Sequence, residues 1–287
     1  MSAPITRRSA IKTVAGASAA IAALSETFGA ETAKRHGRIN HSVCRWCYNK
    51  IPMDDLCKAA KEMGIQSIEL LAPNEWAALK KYDLTCAMAS GADNIPFGFN
   101  RKENHDTQFE KFSQMIPQVA NGGLKNLICF SGNRRGMSDE EGLENCAIGL
   151  KRIMPIAEKH KVVIVMELLN SKVDHKDYMC DHTKWGVELA KRVGSENFKL
   201  LYDIYHMQIM EGDVIRTIRE SKDYIAHYHT GGVPGRAEID ETQELRYEPI
   251  MKAIIETGYK GFVAQEFIPK RPDALASLKQ GVDICDV

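Results

Sequence analysis

An eightfold alternation constrains this chain more than any other feature. Short apolar runs recur along it, each followed by a stretch with apolar residues at helical spacing. The runs are 38–44, 65–71, 84–90, 125–132, 161–167, 198–203, 224–229 and 262–266. The helical stretches after them cover 53–64, 74–83, 106–123, 138–160, 180–194, 213–222, 247–258 and 273–284. Strands that are apolar throughout and separated by helices form parallel sheets covered on their faces. Eight such units in about 250 residues fit the α/β class and a closed (β/α)8 TIM barrel, in one domain over residues 37–287. The rival is an open doubly wound sheet, but no strand here is followed by G-x-G-x-x-G. Ser138 and Glu141 form a capping pattern at the fourth helix. Pro117 predicts a kink in the third.

The first 36 residues stand apart. Arg7 and Arg8 precede a short run of small apolar residues, "TVAGASAAIAAL". A basic start before a short apolar core reads as an export signal, and the run is too short for a stable membrane span. The arginine pair resembles a twin-arginine signal, which places the mature protein outside the cytoplasm, in the periplasm. Ala10 stands where that motif usually has an aromatic residue or leucine.

Lys+Arg and Asp+Glu are both 38, so the formal net charge is zero. That excludes a broad basic surface for nucleic acid; an anion would be held locally, by a few placed cations. The eight cysteines are scattered, and most fall in apolar or helical patterns that suit small core residues. In an exported chain they could also pair. "CRWC" (Cys44–Cys47) has redox spacing but no second CxxC and no helix pattern behind it.

In a TIM barrel the chemistry collects at the C-terminal ends of the strands. Four consecutive runs end in Glu167, Asp203, His229 and Glu266. One carboxylate at a strand end commonly caps the next helix. Three converging on one mouth would repel, and a divalent cation removes that conflict. An oxygen-rich set with one histidine favours Mn²⁺ or Mg²⁺, with Co²⁺ or Zn²⁺ as alternatives. No cysteine belongs to the set, so a structural zinc is not indicated.

The segments "VMELLN", "LLYDIYHMQ", "HYHTGGVPGR" and "VAQEF" resemble the xylose isomerase-like barrel superfamily. Within it the chain is most similar to the hydroxypyruvate isomerase family and more distantly to the ketose 3-epimerases. The likeness runs from about residue 38 onward. It implies a metal-dependent isomerase that converts hydroxypyruvate to tartronate semialdehyde through an enediolate. It also implies Glu167, Asp203, His229 and Glu266 as metal ligands, with Glu167 and Glu266 carrying the acid/base role. His206 and Arg236 would contact substrate oxygens, and a homo-oligomer is expected. Two departures bear on the substrate. The loop after Arg236 reads "AEIDETQE", with Ala237 where the family has histidine, and the export signal departs from cytoplasmic members.

Aldose–ketose isomerisation needs a polarised carbonyl, a base at the α-proton and a counter-charge for the oxyanion. Either glutamate could serve as base, and two of them allow epimerisation as well. Arg236 suits a substrate carboxylate bidentately, or is a solvated loop charge. His227 is two residues before His229 and so shares its face of the strand. It is either a hydrogen-bond partner behind the ligand or a core histidine. Glu69 ends the second strand and faces the same mouth, as a substrate contact or as support for the ligands. Trp46 and Phe97 could wall the pocket; Arg134 and Arg135 are either anion contacts or a solvated turn. The partner expected is a small sugar or 2-oxo/hydroxy acid. Two further readings are a ketose 3-epimerase and an exported, non-catalytic carbohydrate-binding protein. A superfamily endonuclease would need a trinuclear cluster with many histidines and a basic face; nine histidines and zero net charge argue against it.

Overall fold

The computed structural model describes residues 35–287. The arginine pair and apolar run of the expected signal lie outside the described residues. Seven strands are regular: β1 (Asn40–Cys44), β2 (Ser67–Glu69), β3 (Asn126–Cys129), β4 (Val163–Leu168), β5 (Phe198–Asp203), β6 (Ile225–Thr230) and β7 (Phe262–Gln265). Their order is β2-β1-β7-β6-β5-β4-β3, every pair parallel.

The run 84–90 closes the gap between β2 and β3. It bridges Ser67 through Thr85, Leu71 through Ala89, and Leu127 through Ala89. It is not the regular strand its apolar sequence predicts. Ala87 is held by side chains: its N–H donates to Ser67 Oγ (2.8 Å) and its carbonyl accepts from Asn126 Nδ2 (2.9 Å). Leu70 turns into the left-handed region at φ 59° and interrupts the β2 ladder beside it. The barrel therefore closes, through backbone groups satisfied partly outside the ladder.

The outer layer is α1 (Met53–Glu62), α2 (Trp76–Lys80), α3 (His105–Asn121), α4 (Asp139–His160) and α5 (Thr183–Val193). It continues through α6 (Ile204–Met210), α7 (Val214–Ser221), α8 (Tyr247–Glu256) and α9 (Ala274–Cys285). The Ser138 Oγ accepts from Glu141 N at 3.2 Å, so α4 starts where its cap predicts. Leu143, Cys146, Leu150, Ile153 and Ala157 form its buried stripe. Burial of each large apolar side chain of this kind stabilises by about 1.5–3 kcal/mol. Residue 117 lies inside one continuous helix, α3. The sequence pattern did not anticipate α6, and in "CRWC" Cys44 ends β1 while Arg45–Tyr48 form a short 3₁₀ turn. All eight cysteines are free, and seven are buried. None of the described helices is long and apolar enough to cross a membrane.

Candidate metal centre and active site

Strand alternation places the polar ends. His227 and His229 share one face of β6, and Tyr228 between them points outward, its ring 6.2 Å from Tyr202 and 4.9 Å from Tyr259. Register then sets the level. Asp203 lies opposite His229, and His229 lies opposite Ala264. Glu266, just past β7, donates its N–H to Thr230 O at 3.0 Å. Glu167 sits in β4 opposite Leu201.

These strand ends bring Glu167, Asp203, His229 and Glu266 together. One ligand atom from each lies within 4.8 Å of the others, and all four residues are buried. His229 Nδ1 is 2.7 Å from Glu266 Oε2 and 3.5 Å from Glu167 Oε1. Its other nitrogen, Nε2, is 2.9 Å from Glu69 Oε1. The same Glu69 oxygen is 2.7 Å from His227 Nε2. Burial opposes ionisation of Glu69, but the two histidines outweigh it and hold the carboxyl down at about 2. Glu69 is thus buried behind His229, away from the cavity; its geometry offers support for the ligands and no substrate contact. His227 stands in the same layer.

The charges in the ring do not balance. Burial, with Glu266 and Glu167 close by, pushes the Asp203 carboxyl well up despite Arg236. Burial and the Glu266 charge push Glu167 up as well. Burial acts on Glu266 too, but Arg236 and His229 hold it well below the usual carboxylate range. Arg236 Nη2 reaches Glu266 Oε2 at 2.5 Å and Asp203 Oδ2 at 3.2 Å. Its guanidinium stacks between Trp46 and Tyr205, 5.2 and 5.4 Å from the ring centres. One arginine cannot offset three carboxylates. The donor set, three carboxylates and an imidazole whose far nitrogen faces a fourth carboxylate, fits a hard or borderline divalent cation.

The loop from Gly231 to Ala237 carries Arg236. Gly232 N donates to Ala237 O at 3.0 Å, and a Cβ at Gly232 would lie 2.3 Å from Glu238 O, so this approach requires glycine. Tyr247 Oη donates to Gly231 O and accepts from Gly231 N at 2.7 and 2.8 Å. Arg236 itself sits at φ 53°, and its carbonyl accepts from Ile268 N at 2.7 Å.

A cavity of about 350 Å³ opens beside the ring. Glu167, Glu266, Arg236, His175, Asp93 and Ser90 supply its polar lining; Trp46, Leu70, Ile95, Ile128, Phe130 and Leu169 supply apolar wall. Trp46 also donates Nε1–H to Glu266 Oε1 at 2.8 Å. Phe97 is not among the lining residues. Burial raises the Asp93 carboxyl to about 7 against hydrogen bonds from Gln108, Phe130 N and Asn94 N. Asp93 and His175 were missed in the sequence because both lie in loops without periodicity.

His206 lies in the first turn of α6, whose N-terminus Asp203 caps by accepting from His206 N at 3.1 Å. Asp203 therefore caps a helix with one oxygen and faces the ring with the other. His206 is fully buried, does not reach the cavity surface, and carries Nε2 3.6 Å from Asp203 Oδ2. Burial and the nearby Arg236 keep its imidazole neutral. Arg134 is spent on structure, with ion pairs to Asp139 and Asp181 at 2.9 Å each. Glu238 is likewise tied, to Lys270 N, Arg271 N and Ser277.

Comparison with known proteins bears on the fold and the family. The family model described as "Xylose isomerase-like TIM barrel" matches residues 57–284. The chain belongs to that family. Among curated relatives, the hydroxypyruvate isomerase of Escherichia coli K12 is 30% identical over 52% of this chain and 57% of its own length. A putative hydroxypyruvate isomerase of Danio rerio is 28% identical over 78% of both chains. The 2-oxo-tetronate isomerase of Cupriavidus necator is 32% identical over 45% of this chain and 47% of its own. Matches to the human, Drosophila and mouse relatives span 44%, 53% and 44% of those proteins, about half their length. Solved structures share the fold. A Brucella melitensis family 2 AP endonuclease has TM-score 0.73 and 23% identity, covering 84% of this chain and 96% of its own. A Clostridium cellulolyticum D-psicose 3-epimerase has TM-score 0.67 and 16% identity, covering 86% and 90%.

Proposed function

We propose that the chain is a divalent-metal-dependent isomerase that moves a proton between adjacent carbons of a short 2-oxo or hydroxy acid. Hydroxypyruvate to tartronate semialdehyde, through an enediolate, is the reaction best supported. The observation that carries the reading is the ring of Glu167, Asp203, His229 and Glu266 at the edge of a cavity. Held by these four residues, the cation would polarise the substrate carbonyl and offset negative charge as it develops. The relatives named hydroxypyruvate isomerase and 2-oxo-tetronate isomerase support the substrate class.

The two glutamates are not equivalent. Glu266 has both oxygens engaged, Oε1 by Trp46 and Oε2 by Arg236 and His229. Glu167 has one loose contact, to His229 at 3.5 Å, and faces the cavity. Glu167 is therefore free to take the α-proton, while Glu266 is held in place to orient the substrate oxygens or return the proton. Trp46 and the apolar wall exclude water from the exposed carbanion face.

Exchange of Glu266 for glutamine keeps the side-chain shape and removes the charge. Glu266→Gln is expected to lower kcat on hydroxypyruvate at least about 10²-fold with the circular dichroism spectrum unchanged. Undiminished turnover in that variant would sink the assignment. Assays with Mn²⁺, Mg²⁺ and Co²⁺ added singly identify the metal.

One observation favours a second reading. Arg236 is the one permanent cation lining the cavity among the described residues, and two carboxylates already hold it. A substrate carboxylate would compete for it; a neutral ketose would not. Solvent deuterium entering C3 of a ketose, with none entering hydroxypyruvate, selects the 3-epimerase reading. No exchange into either selects a carbohydrate-binding protein.

A further inference from the structure

The carboxamide of Asn170, two residues past β4, has every polar atom engaged. Its Oδ1 accepts from Val173 N at 3.0 Å and from Asp174 N at 2.9 Å. Its Nδ2 lies 2.7 Å from Asp174 Oδ2 and 2.7 Å from His206 Nδ1. Turning the amide over would set a donor against two backbone N–H groups and an acceptor against a carboxylate. The surroundings thus fix its orientation.

An amide nitrogen only donates, so His206 Nδ1 must accept, and the ring proton must sit on Nε2. Asp174 Oδ2, the other group near Nδ1, is 4.0 Å away and out of hydrogen-bond range. His175 and Tyr205 pack edge-on against the imidazole, with centroids 5.2 and 5.0 Å from it, and hold its plane. The resulting Nε2–H is buried and has no partner. A buried donor left unmade costs about 1–3 kcal/mol. Its nearest carboxylate oxygen is Asp203 Oδ2, at 3.6 Å, in the ligand ring.

We propose that Asn170 is a positioning residue: it fixes His206 as the Nε2–H tautomer, so that a hydrogen-bond donor, and not a lone pair, faces Asp203 Oδ2 in the ligand ring. The proposal rests on the isomerase reading for its effect on turnover, and on geometry alone for the tautomer. Asp174 belongs to the device, because its Oδ2 accepts both from Asn170 and from Tyr205 Oη, at 2.7 and 2.8 Å. The opposite tautomer would present a lone pair to an oxygen and repel it.

The test exchanges the two side chains, Asn170→Asp with Asp174→Asn. The carboxylate–carboxamide pair survives, but the atom facing Nδ1 changes from donor to acceptor. ¹⁵N NMR of metal-free, histidine-labelled protein reads the tautomer without turnover. Wild type is expected to show Nδ1 bare and Nε2 protonated, and the exchanged protein to show Nδ1 protonated. With metal and substrate, Mn²⁺ affinity and kcat are both expected to fall, the affinity about 10–100-fold. If the exchanged protein does not fold, Asn170→Ala carries the test, since loss of the donor lets both tautomers appear. Nδ1 protonated in wild type overturns the proposal. So does an unchanged tautomer after the exchange, or an unchanged kcat once the tautomer has switched. Wild-type protein that turns over no 2-oxo acid or ketose counts against the isomerase reading instead, and the tautomer readout still decides this proposal.

Discussion

Glu69 shows how much one residue at a strand end can do. One of its oxygens meets His227 and His229 together, at 2.7 and 2.9 Å. By holding Nε2, the carboxylate fixes the His229 ring, so that Nδ1 would be left for a metal. Glu69→Gln is expected to weaken Mn²⁺ binding about 10–100-fold, read by calorimetric titration of the metal-free protein. An unchanged affinity would remove Glu69 from that role. The clustering of the four candidate ligands was legible because each ends an apolar run, and a period of two fixes which side chains face the mouth. Glu69 was legible as a position but not as a role, because two places at one strand end differ only in depth. Asn170, His175 and Asp93 were not legible, because a loop side chain's direction depends on turns that no periodicity encodes.

At the scale of elements, the loop after the 84–90 run is pressed against the end of β3. A Cβ at Gly98 would lie 2.3 Å from Gly132 N and Phe130 O, both backbone atoms that cannot swing aside. Gly98→Ala should therefore destabilise by about 3 kcal/mol in urea unfolding. Gly123 provides the contrast: it has φ 76° and open space around its Cβ position. Gly123→Ala should lose only about 1–2 kcal/mol, the cost of a left-handed alanine. Equal losses would mean that the close approach is not what holds the loop. The missed helix α6 has a comparable cause. Asp203 reads as a strand-end ligand, and the same aspartate caps the helix that starts at the next residue. A residue with two uses conceals one of them from a sequence reading. The irregular 84–90 segment differs again, because its apolar sequence predicts a strand but Ser67 and Asn126 take over the Ala87 backbone.

Across the whole molecule, the ends of the described chain meet on the far side of the barrel from the site. Arg35 pairs with Asp283 at 2.6 Å, and Arg38 Nε donates to Val287 O at 2.8 Å. His41, in β1, is buried beneath them, with neither ring nitrogen hydrogen-bonded and Asp286 Oδ1 at 3.6 Å. Burial lowers its pKa to about 4; Asp286 and Asp283 oppose the shift and Arg35 adds to it. The unfolded chain binds this proton near 6.5, so acid favours unfolding. The contribution of neutral His41 is intact above about pH 6.5 and is lost as pH falls toward 4. The slope approaches about 1.4 kcal/mol per pH unit, for a total of about 3 kcal/mol. His41→Leu fills the same space without a titrating group. Between pH 7 and pH 5 its stability in urea should fall about 2 kcal/mol less than that of wild type. Parallel curves for the two proteins would mean that the acid sensitivity of the barrel lies elsewhere. The ligand ring lies at the opposite end of the strands, so this variant should retain full metal binding at pH 7. Loss of metal binding there would show that the two faces of the barrel are coupled through the β1 strand.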